Sequence, residues 1–389
     1  MKVRASERDV SITYKSLSEC SRSSTKSKMK DERGLEMSSF AFNSQFSILN
    51  FQLGFVATIG SFDGVHRGHQ CLLSQVRHIA DERGLRAVAI TFGTSPRSVL
   101  GRGDCPKLTT ADERATLLRQ VGMDEVAVLD FTPQMAAMTA RDFMQQVLRE
   151  QLHVAVLVIG YDHRFGRGRS EGFDDYVRYG QEMGIEVVRG EACIEGGEPV
   201  SSTRIRQLLE EGEVDEAAQL LGYRYTLRGK VVGGYREGRK MGFPTANIAL
   251  DEGQQTTDKV VDCKLIPADG VYAVWVKIGQ QTTDNGQRTT DKTCAYEPQE
   301  KNNFPFSIFH SQLKKGMLNI GYRPTLNKGK ERSIEVHILD FEGDLYGKGI
   351  TVEFAHRLRE ERTFANTEEL TEQLMRDEKM VRELLVAEE

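Results

Sequence analysis

The sequence predicts two domains of different class: an α/β domain on a doubly wound parallel sheet, then a small antiparallel β-barrel followed by one C-terminal helix. Three observations predict this. From Phe55 to about Gly190, short apolar runs alternate with helical periods, the pattern of βαβ units. After Tyr225 the period changes to short alternating runs separated by glycine-rich turns, which is barrel-like. A long periodic stretch, Thr367–Ala387, closes the chain. At 389 residues there is room for a proper core in each domain.

The elements follow in order. Residues 1–48 are rich in Ser, Lys and Arg with little periodicity, and read as a disordered extension. Its acids (Glu7, Asp9, Glu19, Asp31, Glu32, Glu36) are too many for a transit peptide. The first domain spans 49–222. Its strands are expected at Phe55–Ile59, Arg86–Phe92, Glu125–Phe131, Val154–Gly160 and Glu186–Arg189. Helices are expected at His69–Glu82, Ala111–Val121, Ala140–Leu152, Phe173–Met183, Ile205–Glu211 and Val214–Leu221. Thr110 with Glu113 has capping-box spacing, and Thr139 reads as an N-cap.

The second domain, 223–389, has strand patterns at Tyr225–Val232, Gly270–Ile278, Gly316–Ile320, Ser333–Phe341 and Gly349–Phe354. Asn366 with Glu369 caps the last helix. Low-complexity insertions are expected near 252–263 and 279–312, where near-copies of the pentad Gln254-Gln255-Thr256-Thr257-Asp258 recur. These fit loop expansions, where extra length costs little entropy.

Composition excludes several classes. A net charge of −5 gives no basic excess for nucleic acid. The longest apolar run, Val154–Gly160, is far short of a membrane span. The six cysteines are scattered, without a CxxC pair or Cys/His cluster, and are expected to be reduced thiols in a cytoplasmic protein.

Chemistry concentrates in a few runs. Phe55 to His69, FVATIGSFDGVHRGH, puts two imidazoles, His66 and His69, where a strand hands over to a helix N-terminus. Helix-start N–H groups attract phosphate, and imidazoles donate to phosphoryl oxygens. Gly160-Tyr161-Asp162-His163-Arg164-Phe165-Gly166 follows another strand at the end where open α/β sheets bind ligands. Ser201-Ser202-Thr203-Arg204-Ile205-Arg206 opens a helix with hydroxyls and a cation, either plain caps or an anion site. In the second domain, Gly233 to Asn247 combines glycines, Arg239 and Lys240 with Thr245 and Asn247. This suits a phosphate flap over hard oxygen ligands of the kind Mg²⁺ takes. Glu335 lies within the apolar run Ile334, Val336, Ile338; alternation alone leaves it surface-facing or functional.

Together these runs resemble the prokaryotic bifunctional riboflavin kinase/FAD synthetases, over residues 50–389 apart from the insertions. G-x-F-D-G-V-H-x-G-H, (I/V)SSTxIR, G-x-x-x-G-R-x-x-G-F-P-T-A-N and two later elements, 316–325 and 334–341, occur in family order. The resemblance implies a Rossmann-like nucleotidyltransferase domain and a barrel kinase domain. It implies phosphorylation of riboflavin to FMN and adenylylation of FMN to FAD, with ATP as co-substrate and Mg²⁺ as cofactor.

In the first site it assigns Gly60, Phe62, Asp63, Gly64, His66, His69, Ser202, Thr203 and Arg206 to ATP and its phosphates. Arg97, Asp162 and Phe165 go to flavin or nucleotide, with Asp162 alternatively a base. In the second it assigns Gly234, Gly238, Arg239, Gly242, Thr245 and Asn247 to ATP and phosphate, Thr245 and Asn247 also to the metal, and Glu335 to the catalytic base. His66 and His69 are the catalytic pair of the first site. The chain departs from the family at Ser95, where His is usual, at Gly93 and Thr94, at Ser61 in place of Asn, and at His163 in place of Phe. Three other readings are open: a kinase with a weakened first domain, a different adenylyltransferase sharing the (H/T)xGH signature, which leaves the PTAN and Glu335 segments unexplained, or a non-enzymatic flavin or nucleotide sensor.

Overall fold

The computed structural model describes residues 54–101, 105–191, 200–234, 237–250, 263–279, 313–323 and 331–386. The expected N-terminal extension, the pentads and nearly all of both insertions lie outside these residues.

The first domain is a five-stranded parallel sheet of β1 (Phe55–Ile59), β2 (Arg86–Phe92), β3 (Glu125–Leu129), β4 (Val154–Ile159) and β5 (Glu186–Arg189). Its spatial order is β3-β2-β1-β4-β5. Every residue of β1 is buried, as a strand covered on both faces requires. The order reverses between β1 and β4, so the crevice beyond their carboxyl ends is the topological switch point where such sheets bind ligands.

The helices of this half are α1 (Arg67–Arg83), α2 (Pro96–Val99), α3 (Ala111–Gln120), α4 (Pro133–Ala137), α5 (Ala140–Phe143), α6 (Phe173–Met183), α7 (Ser202–Glu211) and α8 (Val214–Leu221). The expected capping box at Thr110 and Glu113 is formed in both directions. The stretch expected as one α-helix from Ala140 to Leu152 instead passes after Phe143 into a π-helix, Met144–Gln151. Wider turns keep Met144, Val147 and Leu148 in the core.

The second half is a closed six-stranded barrel, with a four-residue helix α9 (Glu237–Lys240) between its first two strands. Its strands are β6 (Thr226–Val232), β7 (Ala246–Leu250), β8 (Gly270–Ile278), β9 (Lys314–Arg323), β10 (Glu331–Ile338) and β11 (Gly349–Arg359), in the order β10-β7-β6-β11-β8-β9 with β9 and β10 closing it. Strands β9 and β11 run past the apolar stretches that announced them, because their ladders continue through charged residues such as Arg357 and Arg359.

Helix α10 (Thr367–Val386) docks on the barrel through Val381 and Leu385 and through Asp377, which has no exposure. That carboxylate accepts from Arg359 at 2.8 and 3.0 Å and from Gln373 at 2.7 Å, so its burial is compensated.

The halves are not independent bodies. Leu208, Ala217 and Leu221 of α7 and α8 share one apolar cluster with Tyr272 and Phe354 of the barrel interior, and Leu108 of the sheet domain joins it. Cys263 to Leu265, placed by sequence at the edge of an insertion, runs beside Lys107 as a short parallel bridge. There Lys107 N donates to Cys263 O and Leu265 N to Lys107 O, both at 2.8 Å. Lys264 reaches Glu113 at 2.5 Å. The thiol expectation also needs correction. Among the described residues Cys105 and Cys263 are free, but Cys71 is disulfide-bonded; spacing along a chain does not reveal proximity in space.

Candidate active sites

The first site forms at the switch point. Gly60 N donates to Ile90 O at 3.0 Å, and the chain then turns through Phe62 and Val65, both at positive φ (47° and 37°). A buried β-branched residue there is strained, and such strain gathers at functional loops. His66 caps α1: its Nδ1 accepts from His69 N at 3.4 Å. With Nδ1 accepting, the neutral ring carries its proton on Nε2.

The rings of His66 and His69 stack with centroids 3.6 Å apart. A Cβ at Gly68 would lie 3.3 Å from the His66 ring, so glycine leaves room for that ring. Burial lowers the His66 pKa to about 4, against a smaller raising effect of Asp63. Burial, then His66, His163 and Arg114, holds His69 well below the usual imidazole range. Both rings are therefore neutral donors at pH 7.

The remaining residues of this site divide. Ser202 sits at the start of α7 and donates to Asp63 O at 2.9 Å, bringing a second helix N-terminus to the motif. Thr203 is exposed. Asp63 and Arg206, expected on phosphate, both make contacts within the protein. The buried Asp63 carboxylate accepts from Leu108 N at 3.1 Å, Thr109 N at 3.0 Å and Thr109 Oγ1 at 3.2 Å. It also pairs with Arg206 at 2.5 Å, and Arg206 Nε donates to Pro106 O at 2.8 Å. Gly64 N donates to Thr109 Oγ1 at 3.1 Å, while its carbonyl accepts from Tyr223 at 2.7 Å. Asp63 and Gly64 thus clamp the 106–109 loop against the motif.

Asp162 is exposed at the end of β4, and Phe165 is buried, stacked on Tyr176 at 4.4 Å. Arg97 is exposed on α2. A small cavity beside it is lined by Ser61, Phe92, Gly93, Ser95, Thr109 and Arg114, so three of the departures noted in the sequence, Ser61, Gly93 and Ser95, face one hollow.

The second site lies on the outer face of the barrel. Ile334, Val336 and Ile338 point into the core, so Glu335 points outward. It pairs in register with Asn247 of β7 on one side and Asn319 of β9 on the other. Directly paired residues project to one face, so a carboxylate and two amides line up across three strands. Thr245 Oγ1 donates to Glu335 Oε2 at 3.2 Å.

The glycine arm is pressed onto this row. A Cβ at Gly234 would lie 2.0 Å from Asn247 Nδ2, so only glycine fits. Phe243 N bonds to Gly238 O at 2.9 Å, folding the arm back. Gly242 takes φ 85°, and Arg239 is exposed on α9. Thr245, Asn247 and Glu335 are together, as expected. Asn319 was not singled out, because its place depends on strand register.

Residues 49–204 match the family model for FAD synthetase and residues 221–385 that for riboflavin kinase. The bifunctional riboflavin kinase/FMN adenylyltransferase of Escherichia coli K12 is 34% identical, over 85% of this chain and 93% of its own. The chain belongs to the bifunctional riboflavin kinase/FMN adenylyltransferase family. Members from Listeria monocytogenes and Bacillus subtilis are 33% and 32% identical, covering 84% and 83% of this chain and 91% and 90% of their own.

A solved structure described as a macrolide-efflux protein from Streptococcus pneumoniae aligns with TM-score 0.67 and 30% identity, over 85% of this chain and 94% of its own. Among the described residues no helix is long and apolar enough to cross a membrane. The likeness is one of fold and extends over both halves of this chain.

Proposed function

We propose that this bifunctional enzyme makes FAD from riboflavin in two steps, each at its own site. The 49–222 half joins FMN to the adenylyl group of ATP, and the 223–389 half transfers the terminal phosphate of ATP to riboflavin. We place both steps in the cytoplasm. The observation that carries the reading is the pairing of chemistries: stacked neutral imidazoles on the sheet, and a carboxylate bonded to Thr245 beside Asn247 on the barrel.

In the first site, a phosphate oxygen of FMN attacks the inner phosphorus of ATP, and the bond to pyrophosphate breaks. That nucleophile is already an anion, so the step needs alignment and charge stabilisation without a protein base. His66 and His69 donate to phosphoryl oxygens, and the N-termini of α1 and α7 hold the outer phosphates. Asp63 and Arg206 hold the loop that shapes this pocket, while Asp162, Phe165 and Arg97 lie on the flavin or nucleotide side.

In the second site, a ribityl hydroxyl is a poor nucleophile, and Glu335 accepts its proton as it attacks the terminal phosphorus. Thr245 and Asn247 supply hard oxygens that fit Mg²⁺ alongside phosphate and water, and the metal would offset phosphate charge. Gly234, Gly238, Arg239 and Gly242 form the flap over the phosphates.

Product analysis from riboflavin, Mg²⁺ and ATP tests the assignment. His66→Ala is expected to stop at FMN, losing about a hundredfold or more in FAD formation. Glu335→Gln is expected to leave riboflavin untouched, by about a hundredfold or more, while still converting added FMN. If either variant lost both steps in a folded protein, or neither, the two-site assignment would fall.

A further inference from the structure

His163 is a departure from the family that the two-step scheme does not use. It stands just beyond the carboxyl end of β4, its backbone N–H donating to Gly160 O at 3.0 Å, beside the end of β1 from which the His66–His69 turn departs. Its half-buried ring lies 6.3 Å from Phe165. Two imidazole nitrogens here are shielded from solvent and, among the described residues, lack a hydrogen-bond partner: His163 Nε2 and His69 Nδ1. Leaving such an atom buried and unpaired is unfavourable, so each is poised to take a partner.

The surroundings narrow the choice. One face of His69 is covered by His66 at 3.6 Å, and Phe62 meets the ring in an edge contact at 5.3 Å. His66 Nδ1 already accepts from the backbone. Arg114, also near His69, donates to Phe92 O at 2.5 Å.

We propose that His163 is a positioning residue of the adenylyltransferase site, its Nε2–H donating to His69 Nδ1 when nucleotide fills the site. That bond fixes the His69 proton on Nε2, the tautomer able to donate to a phosphoryl oxygen. The ring is suited to a neutral donor, because burial, reinforced by Arg169 and opposed by Asp162, lowers its pKa to about 4. Phenylalanine at this position offers no donor.

The inference rests on the first-site reading above, and the test separates the two. His163→Phe, His163→Gln and His69→Ala are made in the full chain. FAD formation from FMN and Mg·ATP is followed by steady-state kinetics. The imidazole nitrogens of His69 are followed by ¹⁵N NMR with a non-hydrolysable ATP analogue bound. His163→Phe is expected to lower kcat about tenfold, at the low end of losing an outer-shell partner, with KM values kept within about twofold. Its His69 signals should change from one tautomer to a mixture.

His163→Gln keeps an N–H donor and should recover most of the rate. Riboflavin phosphorylation in the same samples reports that the chain has folded. Unchanged kcat with unmoved His69 signals in His163→Phe would overturn the His163 role alone. Undiminished FAD formation by His69→Ala would overturn the first-site reading beneath it.

Discussion

The two sites reach pre-organisation by opposite routes. On the sheet, His66 caps α1 and His69 lies in its first turn, and the loop leading to them is ordered by a buried carboxylate that holds the distant 106–109 segment, by two residues at positive φ and by the stacked rings themselves. On the barrel they stand on paired strands, and register alone aligns Asn247, Glu335 and Asn319. A loop site of this kind depends on partners far away in sequence, whereas a ladder site depends on close approach of backbone.

The largest effect that breaks this contrast lies on the barrel. Gly234→Ala puts a Cβ into the Asn247 amide, displacing the arm or the amide. Misplacement by about an ångström costs on the order of a hundredfold in rate. Riboflavin phosphorylation should fall accordingly in a direct kinase assay, while FMN is still converted to FAD.

On the sheet, the matching change is Asp63→Ala. Removing one partner of a buried pair costs about 3–5 kcal/mol; urea unfolding should show it, with FAD formation lost more than riboflavin phosphorylation. Equal loss of both activities would mean that the clamp does not belong to the first site in particular.

Acid sharpens the same contrast. His66 and His163 have folded pKa values of about 4, below the unfolded value near 6.5. Between these values the unfolded chain binds protons that the native chain refuses, so stability rises with pH there. It is lost as pH falls from about 6.5 to about 4, by about 3 kcal/mol for each ring. The single tryptophan, Trp275, is buried in the barrel, so its fluorescence follows the second region while FMN adenylylation follows the first. Adenylylation is expected to fail at the higher pH.

Much of this was legible in the sequence because it is local. The strand-turn-helix at Phe55–Arg83, the capping box at Thr110 and the chemistry of Gly233–Asn247 are written in neighbouring residues. What was not legible is long-range. The protein partners of Asp63 could not be read from its motif, because Leu108, Thr109 and Arg206 lie 45 to 143 positions away. Strand β7 follows a proline and is short, so its alternation was too brief to announce it. Whether Glu335 faced inward or outward needed the register of β10. The π-helix after Phe143 keeps the same apolar faces as an α-helix over one or two turns, so its different winding left no mark on the pattern.

The bridge between Lys107 and Lys264, with Leu108 packed into the barrel's own apolar cluster, has a consequence for any attempt to take the enzyme apart. Cutting the link between α8 and β6 and parting the halves would not free two finished pieces: it would strip the oily sides of α7 and α8 of their cover and take away the 263–265 segment against which the loop held by Asp63 leans. Nature's tandem arrangement is therefore more than two tools on one handle, since one tool's grip is moulded partly from the other.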